Sequence, residues 1–314
     1  MKYYMAPMEG ITNWVYRQAY HEIFTPMDKY FTPFITAKPN KRLSFKEINE
    51  VSPETNQGLK VIPQILTNNA EDFLNTARIF QEEYGHSEVN LNLGCPSGTV
   101  TSKKKGAGFL GEPEELDRFL DHIYGHTDLK ISIKTRIGTD YEEDWDRLLD
   151  IYRKYPIHEL IIHPRLLKDQ YKGIPRYHAF KKAEDALKIP LGYNGNLFSA
   201  EEQKRVSAMF PEADSMMYGR GIIARPWLLD EITEKNPAAD HKEKLRLFHD
   251  RIYHQYQELL SGERNVLFRM KELWSYMAPG FTSYSKYLKK IRKSQHFGEY
   301  EGAVISLLRD QDPV

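Results

Sequence analysis

The chain has 314 residues, 40% of them hydrophobic and 28% charged, with a formal net charge of zero and a single cysteine. That is an ordinary globular balance, long enough for one large domain plus a small one. An internal disulfide is excluded, which fits a reducing compartment. The opening Met1–Gly10 carries no signal-peptide run, and no stretch approaches the ~18 apolar residues of a membrane span, so a soluble, cytoplasmic protein without membrane contact is expected.

In chain order, eight short apolar runs read as strands: Tyr3–Ala6, Tyr30–Phe34, Val61–Ile65, Val89–Leu93, Ile131–Lys134, Glu159–His163, Leu191–Tyr193 and Asp214–Tyr218. Their Val, Ile, Leu and Tyr content is that of strands buried on both faces. Amphipathic segments lie between them. Phe73, Ala77, Phe80 and Tyr84 repeat at helical spacing after Asn69, and Leu116, Phe119, Leu120 and Ile123 do so after Pro113, which suits a first helical turn. Strand–helix alternation implies a parallel sheet, and eight such units predict a (β/α)8 TIM barrel over residues 1–238.

From about His241 the pattern becomes all-helical. Leu245, Phe248, Ile252, Tyr256 and Leu259 form one stripe, and Phe268–Tyr276, Lys286–Lys293 and Tyr300–Leu308 read as further helices. A small C-terminal helical domain over 239–314 is expected, with its boundary in the polar Glu234–Asp240 stretch. From His241 onward thirteen Lys and Arg stand against nine Asp and Glu, a net of +4 that leaves −4 on the first 240 residues. The densest basic stretch is Lys286, Lys289, Lys290, Arg292 and Lys293. It reads either as a solvated helix face or as a contact for a polyanion.

A parallel barrel carries its active site at the C-terminal ends of its strands. The residues ending the apolar runs are Pro7 and Met8; Gln64; Asn90, Asn92 and Cys95; Lys134 and Arg136; His163 and Arg165; Asn194, Gly195 and Asn196; and Gly219, Arg220 and Gly221. Together they would form a polar site on an apolar barrel. The turns at 193–196 and 218–221 follow the seventh and eighth strands, where barrels often hold phosphate on backbone N–H groups, and Arg220 adds a charge. Cys95 follows a strand instead of lying within it, which suits chemistry better than packing, as nucleophile or as proton donor. There is no metal-ligand spacing, no nicotinamide fingerprint after a strand, no P-loop and no nucleophile elbow.

These residues, in this order, closely resemble the tRNA-dihydrouridine synthase family. The matches run from Ala6-Pro7-Met8 through Leu91–Ser97, Val100, Gly106-Ala107-Gly108 and Leu110, Ile133–Gly138, His163–Arg165, Asn194–Asn196 and Tyr218–Gly221 to Arg225-Pro226-Trp227. The Asn-x-Gly-Cys-Pro element is the most specific. The resemblance implies an FMN-dependent enzyme that reduces the C5=C6 bond of uridines in tRNA, with NADPH as reductant; a monomer is the expected state. It implies Pro7 and Met8 along the isoalloxazine, Gln64 at its pyrimidine edge, Lys134 near N1 and O2, and His163 beside the ring. Asn194, Gly195, Asn196, Gly219 and Arg220 would hold the phosphate. Asn92 would orient the uracil, helped by Arg136 and Arg165, and Cys95 would be the general acid. The basic tail, with Lys289, Lys290 and Lys293, would grip tRNA phosphates.

The sequence departs from the family pattern at Leu93, Pro164, Leu166 and Asn196, which stand where Met, Gly, Thr and an acid are usual. Two other readings compete. A flavin barrel acting on a small pyrimidine such as dihydroorotate would share the glycine turns and Lys134 without needing the basic tail. A non-catalytic RNA-binding barrel would take up no FMN.

Overall fold

The computed structural model describes residues 1–39, 42–234 and 241–314. Ten parallel strand segments are present: β1 (Lys2–Met5), β2 (Lys29–Phe31), β3 (Ile35–Thr36), β4 (Val61–Ile62), β5 (Gln64–Leu66), β6 (Glu88–Leu93), β7 (Lys130–Thr135), β8 (Glu159–Ile162), β9 (Leu191–Asn194) and β10 (Ser215–Tyr218). Their order is β3-β5-β6-β7-β8-β9-β10-β1-β2-β4. β2 and β3 are two parts of one stave, and β4 and β5 of another, so the ring closes through the β2–β4 and β3–β5 pairs. The eight runs read from the sequence are these eight staves, and the TIM-barrel expectation holds.

The breaks have a chemical cause. Pro63 separates β4 from β5 because it has no N–H for the ladder. Local groups satisfy what the break leaves over: Gln64 N–H donates to Thr32 Oγ1 at 3.0 Å, and Pro63 O accepts from Asn90 N–H at 2.8 Å. Between the strands, helices form where caps and stripes predict. Asn69 Oδ1 accepts from Asp72 N–H at the start of Ala70–Glu82, and Pro113 opens Pro113–Gly125. Leu116, Phe119, Leu120 and Ile123 are all buried. Tyr84 falls two residues beyond its helix and is half-buried, so the stripe read there is one turn too long.

The barrel interior is layered. Tyr4, Ala6, Phe31, Ile62, Ile161 and Met217 form its apolar centre, each large side chain contributing about 1.5–3 kcal/mol by leaving water. At the N-terminal ends of the strands lies a buried ionic floor. Lys29 Nζ sits 2.9 Å from both carboxylate oxygens of Glu88 and 3.0 Å from Glu159 Oε2, and Ser215 Oγ donates to Glu159 Oε1 at 2.8 Å. Burial works against the Lys29 charge, but Glu159 and Glu88 outweigh it and the net shift is upward. The floor was not read from the sequence.

The chain divides into two compact units. The first, residues 1–7, 28–196 and 206–218, holds every barrel strand. The second comprises 8–27, 197–205 and 219–314. The boundary expected at residues 238 and 239 lies outside the described residues. In the second unit, Leu245, Phe248, Ile252 and Tyr256 of helix His241–Leu259 are buried as their spacing predicts, whereas Leu259, at the helix end, is 41% exposed. The later helices span Glu263–Met277, Ser285–Lys293 and Phe297–Asp310.

At the centre of this unit Trp274 Nε1 donates to Tyr300 Oη at 2.9 Å, and Tyr300 Oη lies 2.7 Å from His249 Nε2. His249 Nδ1 is 2.8 Å from Asp250 Oδ1. Tryptophan can only donate, so the Tyr300 proton is available to Nε2, and an Nδ1–H tautomer of His249 satisfies the whole chain to Asp250. No helix among the described residues is long and apolar enough to cross a membrane.

Candidate active site

β6 alternates Asn90 and Asn92, which places both amides on one face. They join Gln64 of β5 in one network. Gln64 Nε2 donates to Asn90 Oδ1 at 2.8 Å, Asn92 Nδ2 donates to Gln64 Oε1 at 2.7 Å, and Asn90 Nδ2 donates to Ser132 Oγ at 3.0 Å. Gln64 and Asn90 are fully buried, and the interlocking fixes the orientation of each amide.

The free end of Asn92 governs the next turn. Its Oδ1 accepts from Gly94 N–H at 3.1 Å and Cys95 N–H at 3.0 Å. From the other side, Ala107 N–H donates to Cys95 O at 3.0 Å. Gly106 allows this approach: at φ +57 it takes a left-handed conformation, and a Cβ there would lie 2.9 Å from Cys95 O. Cys95 is thus half-buried on a backbone fixed from two directions.

Two cations flank this turn. Lys134, at the end of β7, donates from Nζ to Asn194 Oδ1 at 2.8 Å. Burial, and then the neighbouring Arg136, lower its pKa to about 7. Arg136 is 1% exposed. Its guanidinium donates to Gly94 O at 2.9 Å, Leu166 O at 2.9 Å and Gln170 O at 2.8 Å, and it lies over the Tyr171 ring at 5.4 Å. Arg136 therefore ties the Cys95 turn to the loop that follows β8. Charge on Cys95 acts on both cations, favouring their protonated forms.

Past β8, Arg165 Nη1 donates to His163 Nε2 at 2.8 Å, which places the imidazole proton on Nδ1. Its Nη2 donates to Gly173 O at 2.6 Å and to Asn196 Oδ1 at 3.0 Å. Asn194 Nδ2 donates to Met217 O at 2.8 Å. Gly195 and Asn196 have φ +153 and +43, the left-handed turn their residue types permit.

The dihydrouridine synthase (Dus) family profile matches residues 4–307. The chain belongs to the dihydrouridine synthase family. Tested against this family's members, it is 26% identical over 270 residues to tRNA-dihydrouridine synthase B of Pasteurella multocida (strain Pm70), covering 83% of this chain and 80% of that one. It is 26% identical over 306 residues to probable tRNA-dihydrouridine synthase 1 of Synechocystis sp. (strain ATCC 27184 / PCC 6803 / Kazusa), covering 92% and 82%. Among solved structures, morphinone reductase aligns with a TM-score of 0.54 at 13% identity, over 75% of this chain and 86% of that one. At that identity the likeness is one of fold.

In this dihydrouridine synthase family member the first unit brings together Gln64, Asn92, Cys95, Lys134, Arg136, His163, Arg165, Asn194 and Asn196. Pro7 is the last residue of that unit's opening segment, half-buried. Met8, Gly219 and Arg220 belong to the second unit, where Arg220 lies over the Phe198 ring at 5.5 Å. Lys289, Lys290 and Lys293 are on the exposed face of helix Ser285–Lys293, whose other face buries Tyr287, Leu288 and Ile291. Lys290 and Lys293 border a groove of about 340 Å³ with Ser294, Glu299 and Gly302.

Sequence reasoning noted Asn90 at its strand end but gave it no role, and it missed Ser132 and Tyr171. Asn90 and Ser132 were legible in principle, as polar residues alternating inside apolar runs. Tyr171 lies in a loop with no periodic signal.

Proposed function

We propose that this chain reduces the C5=C6 bond of uridines in tRNA to 5,6-dihydrouridine, with FMN as cofactor and NADPH as reductant, as a cytoplasmic monomer. The observation that carries this reading is the Cys95 turn, clamped by Asn92 and Ala107 beside the cations Lys134 and Arg136 in a chain of this family.

The residues fit a flavin. A lysine held near neutrality by burial is a group that an anionic ring edge would charge, and Lys134 is such a group. Gln64 and His163 supply an amide and an imidazole of fixed orientation along the same rim. Following Asn194, Gly195 and Asn196 take the positive-φ turn that a phosphate cradle needs. Pro7, Met8, Gly219 and Arg220 are carried by family resemblance to ring and phosphate. Bound FMN, once reduced by NADPH, would supply the hydride for C6 of the uracil.

Cys95 supplies the proton for C5, so one hydride and one proton saturate the double bond and Cys95 is left as thiolate. Lys134 and Arg136 stabilise that thiolate until it is reprotonated. General-acid assistance of this kind contributes about 10²–10⁴-fold in rate. Asn92 spends its Oδ1 on the Cys95 turn, so it orients uracil through the turn it holds. Arg136 and Arg165 brace the substrate side through the 166–173 loop. The target base must leave its stack to reach the site. Residues 239–314, with Lys289, Lys290 and Lys293, would hold the tRNA backbone.

The test is mass spectrometry of tRNA after incubation with protein, FMN and NADPH. The expected result is a gain of two hydrogens at uridine. A yellow protein that leaves every tRNA uridine unchanged would refute the reading.

A further inference from the structure

The sequence contains one uninterrupted run of three lysines, Lys103-Lys104-Lys105, and the activity proposed above gives it no task. A charge run is commonly a solvated face. This one is built into the cysteine turn. It follows the short helix Gly98–Thr101 and precedes Gly106 and Ala107, the pair that locks onto Cys95 O. Lys103 and Lys105 N–H both donate to Val100 O, at 3.1 and 3.3 Å, and Lys104 N–H to Thr101 O at 2.9 Å. Asn68 Nδ2 donates to Lys103 O at 3.2 Å. Lys104 takes φ +52, a conformation seldom held by a long side chain. The backbone of the run is thus fastened on several sides while its side chains project: Lys103 and Lys104 are exposed and Lys105 half-buried.

The charges are unevenly compensated. Lys104 Nζ pairs with Glu112 Oε1 at 2.7 Å. Among the described residues, Lys103 and Lys105 have no carboxylate within ion-pairing distance. Three adjacent ammonium groups on a rigid turn repel one another, and an anion with several negative charges relieves that repulsion. The position is on the C-terminal side of β6, where a barrel meets its substrate.

We propose that Lys103 and Lys105 bind the phosphates flanking the uridine that enters the site, so that RNA is gripped within a few residues of Cys95 as well as through residues 239–314. This inference rests on the proposed activity toward tRNA. It adds a contact that registers the reacting nucleotide, where Lys289, Lys290 and Lys293 supply general affinity.

The experiment compares the FMN-loaded full chain with the double variant Lys103→Gln/Lys105→Gln and with Lys103→Arg/Lys105→Arg. Binding of tRNA is measured from 50 to 300 mM salt, with kcat/KM for dihydrouridine formation and the rate of flavin reduction by NADPH without RNA. The glutamine variant should show a log affinity–log salt slope shallower by about 2, roughly 1 for each phosphate contact. Its kcat/KM should fall, and flavin reduction should be unchanged. The arginine variant should restore slope and kcat/KM. An unchanged slope in the glutamine variant overturns the proposal. So does a raised KM for NADPH with tRNA affinity intact, which would give the run to the phosphates of the reductant. A parent that binds FMN but modifies no tRNA overturns the activity itself along with the proposal, a result distinct from a parent that works and a variant that matches it.

Discussion

The two ends of the barrel treat buried charge in opposite ways. At the floor, Lys29 is surrounded by Glu88 and Glu159, and opposite charges meet at 2.9–3.0 Å. At the mouth, Lys134 and Arg136 direct their N–H groups at an amide oxygen and three backbone carbonyls. Arg165 likewise donates to carbonyls, to the His163 ring and to the Asn196 amide. Neutral acceptors satisfy hydrogen-bonding geometry without cancelling charge. The floor sets one ammonium between two carboxylates, so its attraction is internal and its charges serve the fold. At the mouth Lys134 and Arg136 bond to neutral acceptors, which is the arrangement that the proposed binding of an anion would use.

The sharpest way to break this contrast is to cut one group at each end. Cys95→Ala should lower dihydrouridine formation by about 10²–10⁴-fold while melting temperature and FMN uptake stay at parental values. Single-turnover oxidation of the reduced enzyme by tRNA measures this, and full activity would remove Cys95 as the acid. Lys29→Met should do the converse. It leaves Glu88 and Glu159 facing each other in the core, at a cost of about 3–5 kcal/mol, while specific activity of the folded fraction is retained. A denaturant titration reads this loss. If Lys29→Met lowered activity at constant stability, the floor would not be purely structural.

How much of this contrast was visible in the sequence depends on what each residue follows. All eight staves were legible, because short runs rich in Val, Ile and Leu have few other uses in an alternating chain. The mouth was legible for the same reason: polar groups that end an apolar run, such as Asn92 and Lys134, must point somewhere once the barrel closes. The floor was not read, although Lys29, Glu88 and Glu159 each open an apolar run. A charge before a strand looks like ordinary loop polarity, and only closure of the ring brings residues 59 and 130 positions from Lys29 into contact with it. The break at Pro63 was also unread, since a proline inside Val-Ile-Pro-Gln-Ile is compatible with one continuous run until the ladder is seen. For Asn92 and Arg136, which the resemblance sets against the substrate, the structure adds what the sequence could not show: Asn92 Oδ1 accepts from Gly94 and Cys95 N–H, and Arg136 Nε donates to Gly94 O.

Lys134 at the mouth gives a pH signature opposite in sign to that of Lys29 at the floor, whose pKa is raised. Lys134 has its pKa lowered to about 7 by burial and by Arg136. A lysine below its ordinary 10.5 disfavours the folded protein at low pH, where the unfolded chain holds a proton that the folded site resists. In the cofactor-free protein Lys134→Met should thus be more stable than the parent. The gap should be widest below pH 7 and close as pH rises toward 10.5. Binding of reduced FMN should reverse the sense. An anionic ring favours the ammonium, so affinity should weaken by up to about tenfold per pH unit above 7 as the amine must first gain a proton. Calorimetry in buffers of different ionisation enthalpy would detect that proton uptake. Its absence, with pH-independent affinity in the parent, would take Lys134 away from the flavin.

The smallest expected effect tests whether the mouth can be made to resemble the floor. Asn196 accepts from Arg165 Nη2 at 3.0 Å, at a φ of +43 that aspartate tolerates nearly as well as asparagine. In Asn196→Asp the same oxygen would carry charge, and the neutral hydrogen bond would become a charge-assisted one of roughly twice the strength. The pair would lie against a guanidinium that is already buried and already fixed by Lys172 O and Gly173 O, so little ordering is added. A gain of about 1 kcal/mol in the cofactor-free protein follows, a rise of about 2–4 °C in Tm. The arginine would then spend its charge inside the protein, as Lys29 does. A fall in Tm would mean that the Arg165 charge is already balanced and that the two ends of the barrel differ less than their hydrogen bonds indicate.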